Sequence, residues 1–111
     1  MDEIFSTKDI YNRSISLTNE QYNNHIVSGH SEMKSDPKSI EKTVEDPTYI
    51  FEDSSHPLRN VYYGFGKHKD YNKLYVTAIV HFSSRREGEV ITSYLTSEIK
   101  ESWGNLKYAK T

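Results

Sequence analysis

The chain has 111 residues, no cysteine, nine tyrosines and a formal net charge of −2 with its five histidines neutral. That length suits one domain with a modest core, and with hydrophobic residues at 34% and a mean hydropathy of −0.81, large aromatics must supply much of the buried area. The composition excludes a disulfide framework, thiolate chemistry and Cys-based zinc sites, and the weak acidity argues against a uniformly basic nucleic-acid coat.

In chain order, residues 1–8 read as a loose, acidic terminus without an apolar run. Neither a signal peptide nor a membrane helix is expected, so no membrane partner is expected and a cytoplasmic setting is. Ile15 and Leu17 alternate with Ser14 and Ser16, which predicts a strand over 10–17. Thr18 and Gln21 have capping-box spacing, so a helix should start there, with Tyr22, Ile26 and Met33 as its apolar side. Gly29 weakens its last turn. Asp36-Pro37 joins an N-cap to a residue tolerated at the first helical position. Ile40 and Val44 then share a face, predicting a second helix over 37–45 that Asp46-Pro47 ends.

Tyr49 to Phe51 reads as a short strand, 53–57 as a loop, Arg59 to Phe65 as a strand and 66–72 as a polar hairpin. Leu74 to Phe82 is the longest apolar run, and 83–88 is a charged turn with Arg85 and Arg86. The last strand, near Val90, carries the hydroxyls of Thr92, Ser93, Tyr94 and Thr96. Residues 99–111 form a polar tail that Trp103, Leu106 and Tyr108 could dock. The expected fold is therefore α+β: an N-terminal strand and two helices packed on a four-stranded antiparallel meander sheet. One domain spans 1–111, with its core over about 10–98.

His25 and His30 stand five residues apart, which is not a helical metal-pair spacing, and no HExxH motif exists. No metal site is expected. Histidine is the usual acid or base near neutral pH, although His25 alone suits a hydrogen-bonded helical position and His30 a helix C-terminus. Arg59, at a strand start, suits either a bidentate phosphate clamp or a surface ion pair. Lys67 on one hairpin tip, and Arg85 with Arg86 on another, are solvated turns first and phosphate contacts second. No Gly-rich phosphate loop is present, and no cofactor is expected.

The ordered set of Ile10-Tyr-Asn-Arg13, Leu17-Thr-Asn-Glu-Gln21, His25-Ile-Val, Gly29-His30, Val44-Glu-Asp-Pro-Thr-Tyr-Ile50, Arg59-Asn-Val-Tyr-Tyr63 and Gly88-Glu-Val-Ile-Thr-Ser-Tyr-Leu-Thr96 resembles the phage-associated branch of the barnase–EndoU–colicin–RelE-like nucleases. The resemblance implies a metal-independent endoribonuclease of a toxin, prophage or mobile element, acting in a cytoplasm or delivered to another cell. Its partners would be RNA, with tRNA among the candidates, and a cognate antitoxin or immunity protein. It also implies site residues. His25 and His30 are the acid/base pair, and Arg59 is the phosphate clamp. Tyr94 and Thr96 are catalytic sheet groups, while Tyr62, Lys67, Thr92 and Ser93 contact the substrate. The alternative is a non-catalytic binding module, such as an immunity protein or inhibitor. Such a module would offer Glu41, Glu45, Asp46, Glu52 and Asp53 to a basic partner.

Overall fold

A computed structural model describes residues 2–111. Its strands are β1 (Glu3–Lys8), β2 (Ser14–Thr18), β3 (Tyr49–Glu52), β4 (Arg59–Phe65), β5 (Tyr75–Phe82), β6 (Glu87–Thr96) and β7 (Leu106–Ala109). They form one seven-stranded sheet in the order β1-β2-β6-β5-β4-β3-β7. Only β2 and β6 run parallel; the other neighbours are antiparallel.

The expected four-stranded meander is overturned. β3 to β6 do pair as a meander, but three further strands extend it. The terminus read as loose forms β1, and residues 10–13, read as part of a strand, form the turn between β1 and β2. There Asn12 takes a positive φ of 62°, which asparagine tolerates. The tail contributes β7, antiparallel to β3. Both edge strands are short, and neither carries a run of alternating apolar residues long enough for a period-2 search to find.

The helical signals read more directly. Thr18 Oγ1 accepts from the Gln21 amide at 3.1 Å, as a cap should. Gln21 does not close the capping box; its side chain donates to Ile91 O at 2.5 Å. The helical segment 19–29 contains a π turn over Tyr22–Ile26, and both end residues of that turn are buried. It and the turn Ser31–Met33 that follows run along the part of β6 that β2 leaves unpaired, where the Leu95 amide donates to Glu32 at 3.3 Å. The free sheet edge is thereby covered. The second helix spans Pro37–Glu45, with Asp36 accepting from the Ser39 amide at 3.2 Å. No helix is long and apolar enough to cross a membrane among the described residues.

Strand alternation gives the sheet two faces. Under the helices lie Ile15, Leu17, Ile50, Tyr62, Val76, Ala78, Val80 and Val90, packed with Tyr22, Ile26, Met33, Ile40 and Val44. The far face carries Phe51, Val61, Tyr63 and Ile79, with Tyr75, Tyr94 and Trp103 against them. Its aromatic rings meet edge to face: Phe51–Tyr63 at 5.9 Å and Tyr63–Tyr75 at 6.1 Å between centroids.

Candidate functional site

The far face ends in a row of ionisable groups. Arg59 on β4 lies opposite His81 on β5, and His81 opposite Glu89 on β6. Beside Arg59, the β3–β4 loop closes on itself. The Asp53 carboxylate accepts from the Ser55 amide at 2.9 Å, and its carbonyl accepts from the His56 amide at 3.1 Å. This is an Asx turn, which Asp favours because its side chain mimics a backbone acceptor. The turn sets His56 Nδ1 3.4 Å from the Asp53 carboxylate. The Asp53 side chain is 5% exposed and that of His56 54%, so the carboxylate is fixed while part of the imidazole meets solvent.

The tail supplies the opposite wall. Trp103 Nε1 donates to Tyr63 Oη at 2.6 Å, and the Ser54 amide and hydroxyl donate to Trp103 O at 2.9 and 2.8 Å. Lys100 Nζ lies 4.6 Å from the centre of the Trp103 ring. Gly104 makes this course possible with φ 153°, and a Cβ there would sit 2.5 Å from Glu52 O. Together the segments enclose a hollow of about 330 Å³ lined by Asp53, Ser55, His56, Arg59, Ile79, Lys100, Ser102 and Trp103. An imidazole beside a carboxylate, two cations and an aromatic wall can grip a phosphodiester and move its protons.

Of the catalytic and substrate-contact residues expected from sequence, only Arg59 lines this hollow. His25 is exposed on the π turn. His30 is half-buried, its ring 5.2 Å from that of Tyr94 and its Nδ1 3.9 Å from the Glu32 carboxylate. Burial raises the pKa of the Tyr94 phenol, and neighbouring Tyr63 adds to the effect, while the Thr77 hydroxyl opposes it. From the strand register, Tyr94 lies four residues along and two strands across from Arg59, about 16 Å between Cα atoms. Thr92 faces Ile79 on the far face, and Thr96 Oγ1 is bonded within its own turn to Glu98.

Tyr62 and Ser93 lie under the helices instead. Both are fully buried, which closes them to a substrate; Ser93 Oγ donates to Thr77 O at 2.7 Å. Lys67 is paired with Asp46 at 3.0 Å. The groups not expected at a site were His56, Lys100 and Trp103, while Asp53 was expected only as an acidic contact for a basic partner. The sequence did carry one cue: an Asp-Ser-Ser-His-Pro run, in which an Asx turn holds the histidine beside its aspartate.

A second polar centre sits at the same sheet end on the helix-covered side. Asp9 Oδ1 accepts from the Tyr11 and Arg13 amides at 3.0 and 2.9 Å. Arg13 Nε donates to Asp9 Oδ2 at 2.9 Å, and its Nη2 to Asn60 Oδ1 at 3.1 Å and Tyr62 Oη at 3.0 Å. Tyr62 Oη donates to Asp9 Oδ2 at 2.6 Å. Burial, then the Asp9 hydrogen bond, pushes the Tyr62 pKa far up, so the phenol keeps its proton and remains a donor. Phe82 lies under the guanidinium, with 4.1 Å from Arg13 Cζ to the ring centre.

Among the described residues no group of three His, Asp or Glu is placed to hold a metal ion. Fold and hollow together define a mixed-sheet protein with an open, cation-lined site on its far face. Compared with family profiles, curated proteins and solved structures, the chain matches none.

Proposed function

We propose that the hollow at Arg59 cleaves RNA by attack of a ribose 2′-oxygen on the adjacent phosphorus. The observation that carries this reading is the His56–Asp53 contact at 3.4 Å beside Arg59 and Lys100 in one hollow. With Nδ1–H facing Asp53, Nε2 accepts the proton of the 2′-hydroxyl. The new P–O bond closes a 2′,3′-cyclic phosphate as the bond to the 5′-oxygen breaks. The Lys100 ammonium gives that oxygen its proton, and solvent returns Lys100 and His56 to their starting states. Arg59 spans two non-bridging oxygens and offsets the charge that grows on them. Trp103 offers a face to a neighbouring base.

This reading keeps the chemistry and the Arg59 clamp implied by the resemblance and moves the imidazole from His25 and His30 to His56. A toxin active in a cytoplasm, acting on RNA such as tRNA and restrained by a cognate antitoxin, is the setting that suits it. The non-catalytic alternative draws less support. Asp46 already pairs with Lys67 and Lys110, and Glu41 with Lys38.

The test compares cleavage of total RNA by wild type, His56→Ala and a His25→Ala, His30→Ala double variant, with end-group analysis for cyclic phosphate. The His56 variant should lose about 100-fold or more, the usual worth of a positioned acid or base, while the double variant retains most of the rate. Undiminished cleavage by the His56 variant sinks the assignment. Loss in the double variant alone moves the chemistry to His30 and Tyr94.

A further inference from the structure

We propose that the arginine cluster around Arg13 is a second phosphate subsite, so that the substrate is a single RNA strand bent around the Pro57–Leu58 tip. The inference rests on the RNA reading of the Arg59 hollow and adds to it the form of RNA that fits.

The two hollows share a sheet end but lie on opposite faces. The first is lined by Arg59 and Ile79, which point to the far face. The second, of about 370 Å³, is lined by Asn60 and Phe82, the next residues along β4 and β5 from Arg59 and His81. By strand parity they point the other way. Pro57 and Leu58 line this second hollow, directly after His56 in the loop that lines the first. Crossing between faces means passing about 10 Å around this tip, the thickness of one packed layer. Leu58 stands 60% exposed there.

Charge distinguishes the second hollow from an ordinary turn. Arg85 and Lys107 line it with Arg13, and an adjoining hollow of about 330 Å³ adds Arg86 and Tyr11. Glu52 is the one acidic residue lining either of these two. Arg85, Arg86 and Lys107 have no ion pair among the described residues. On a chain of net charge −2, three cations without an ion pair are a local excess that an anionic ligand would neutralise, even with Glu87 beside Arg85 and Arg86.

Arg13 is built in rather than merely present. Its Nε and Nη2 are committed to Asp9, Asn60 and Tyr62, and Nη1 has no hydrogen-bond partner among the described residues. The network holds the guanidinium at a fixed angle, so binding an anion orders little further. Tyr11, 42% exposed, has Arg13 Cζ at 5.1 Å and Lys107 Nζ at 5.2 Å from its ring centre, so an aromatic surface lies among the cations. Cations that track a backbone, interleaved with aromatic faces, are how single strands are held. A duplex is too stiff to fold around a tip this narrow.

The experiment measures anisotropy of a labelled 2′-O-methyl octanucleotide, which binds but lacks the attacking hydroxyl, from 20 to 200 mM salt. Wild type should lose affinity with salt along a log–log slope of about −3, from four phosphate contacts at about 0.7 each. The triple variant Arg85→Ala, Arg86→Ala, Lys107→Ala should shallow that slope by about 2. It removes exposed side chains, and its thermal melt should match wild type. A blunt duplex of equal length should bind at least 10-fold more weakly than the single strand.

An unchanged slope in the triple variant overturns the subsite and leaves the cleavage reading standing. Loss of binding in the triple variant, with no RNA cleavage by wild type, supports the subsite and removes the catalytic proposal. Equal binding of duplex and single strand overturns the bent path. Failure to bind the oligonucleotide, with tight binding of polyglutamate, overturns the subsite in favour of an acidic protein partner.

Discussion

Replacing Gly104 with alanine tests whether the tail builds the hollow. At φ 153° and ψ −146° the backbone occupies a region open almost only to glycine, and an added Cβ would lie 2.5 Å from Glu52 O and 3.1 Å from Ser54 N. Both neighbours are backbone, so neither can swing aside as a side chain would. Strain of that kind costs about 1–3 kcal/mol. Relief requires the tail to lift, which breaks the Trp103–Tyr63 bond and the two bonds from Ser54 to Trp103 O. Each is worth about 1 kcal/mol net, so a loss of about 2–4 kcal/mol is expected. Trp103 is the only tryptophan, so its emission reports the tail directly. Urea unfolding should show the lowered midpoint, with native emission shifted to the red, and cleavage should fall as Lys100 leaves the hollow. An alanine variant with wild-type stability and unshifted emission would mean that the tail's turn does not position Trp103 and Lys100 as argued.

Gly29→Ala is the contrasting case: it ends the first helical segment with open space where the Cβ would go, and should stabilise by about 0.5–1 kcal/mol in the same urea assay. Asp9→Ala strands Arg13 half-satisfied in a nearly buried setting, so a loss of about 3–5 kcal/mol is expected from thermal or urea unfolding. Asp46 is held below the usual carboxylate range by hydrogen bonds from Lys110 and then Lys67. A depressed folded pKa stabilises above the unfolded value and is lost as pH falls through the folded one. Asp46→Asn should therefore cost under about 1 kcal/mol at pH 7, the pair being half exposed, and nothing in acid below the folded value. An equal cost at both pH values refutes the ion-pair account.

Much of the local structure was legible in the sequence. Asp36-Pro37 marked a helix start correctly because an Asx cap and a proline at the first position act within three residues. Thr18 did the same for the segment 19–29, and the apolar runs at Arg59–Phe65 and 74–82 marked the central strands.

What the chain alone determined, then, were features set by neighbours a few residues apart: caps, turns and the alternation of the central strands. The tertiary structure decided the rest. β1 and β7 exist because β2 and β3 offer partner strands to segments too short to hold an extended form alone, and the parallel β2–β6 pair joins residues more than 70 positions apart. Tyr62 and Tyr63, identical and adjacent, show the difference most clearly. One is buried against Asp9 and Arg13, the other holds Trp103 on the far face. Alternation required them to point in opposite directions, but only the packing of helices on one side and tail on the other settled which tyrosine meets the helices and which the tail.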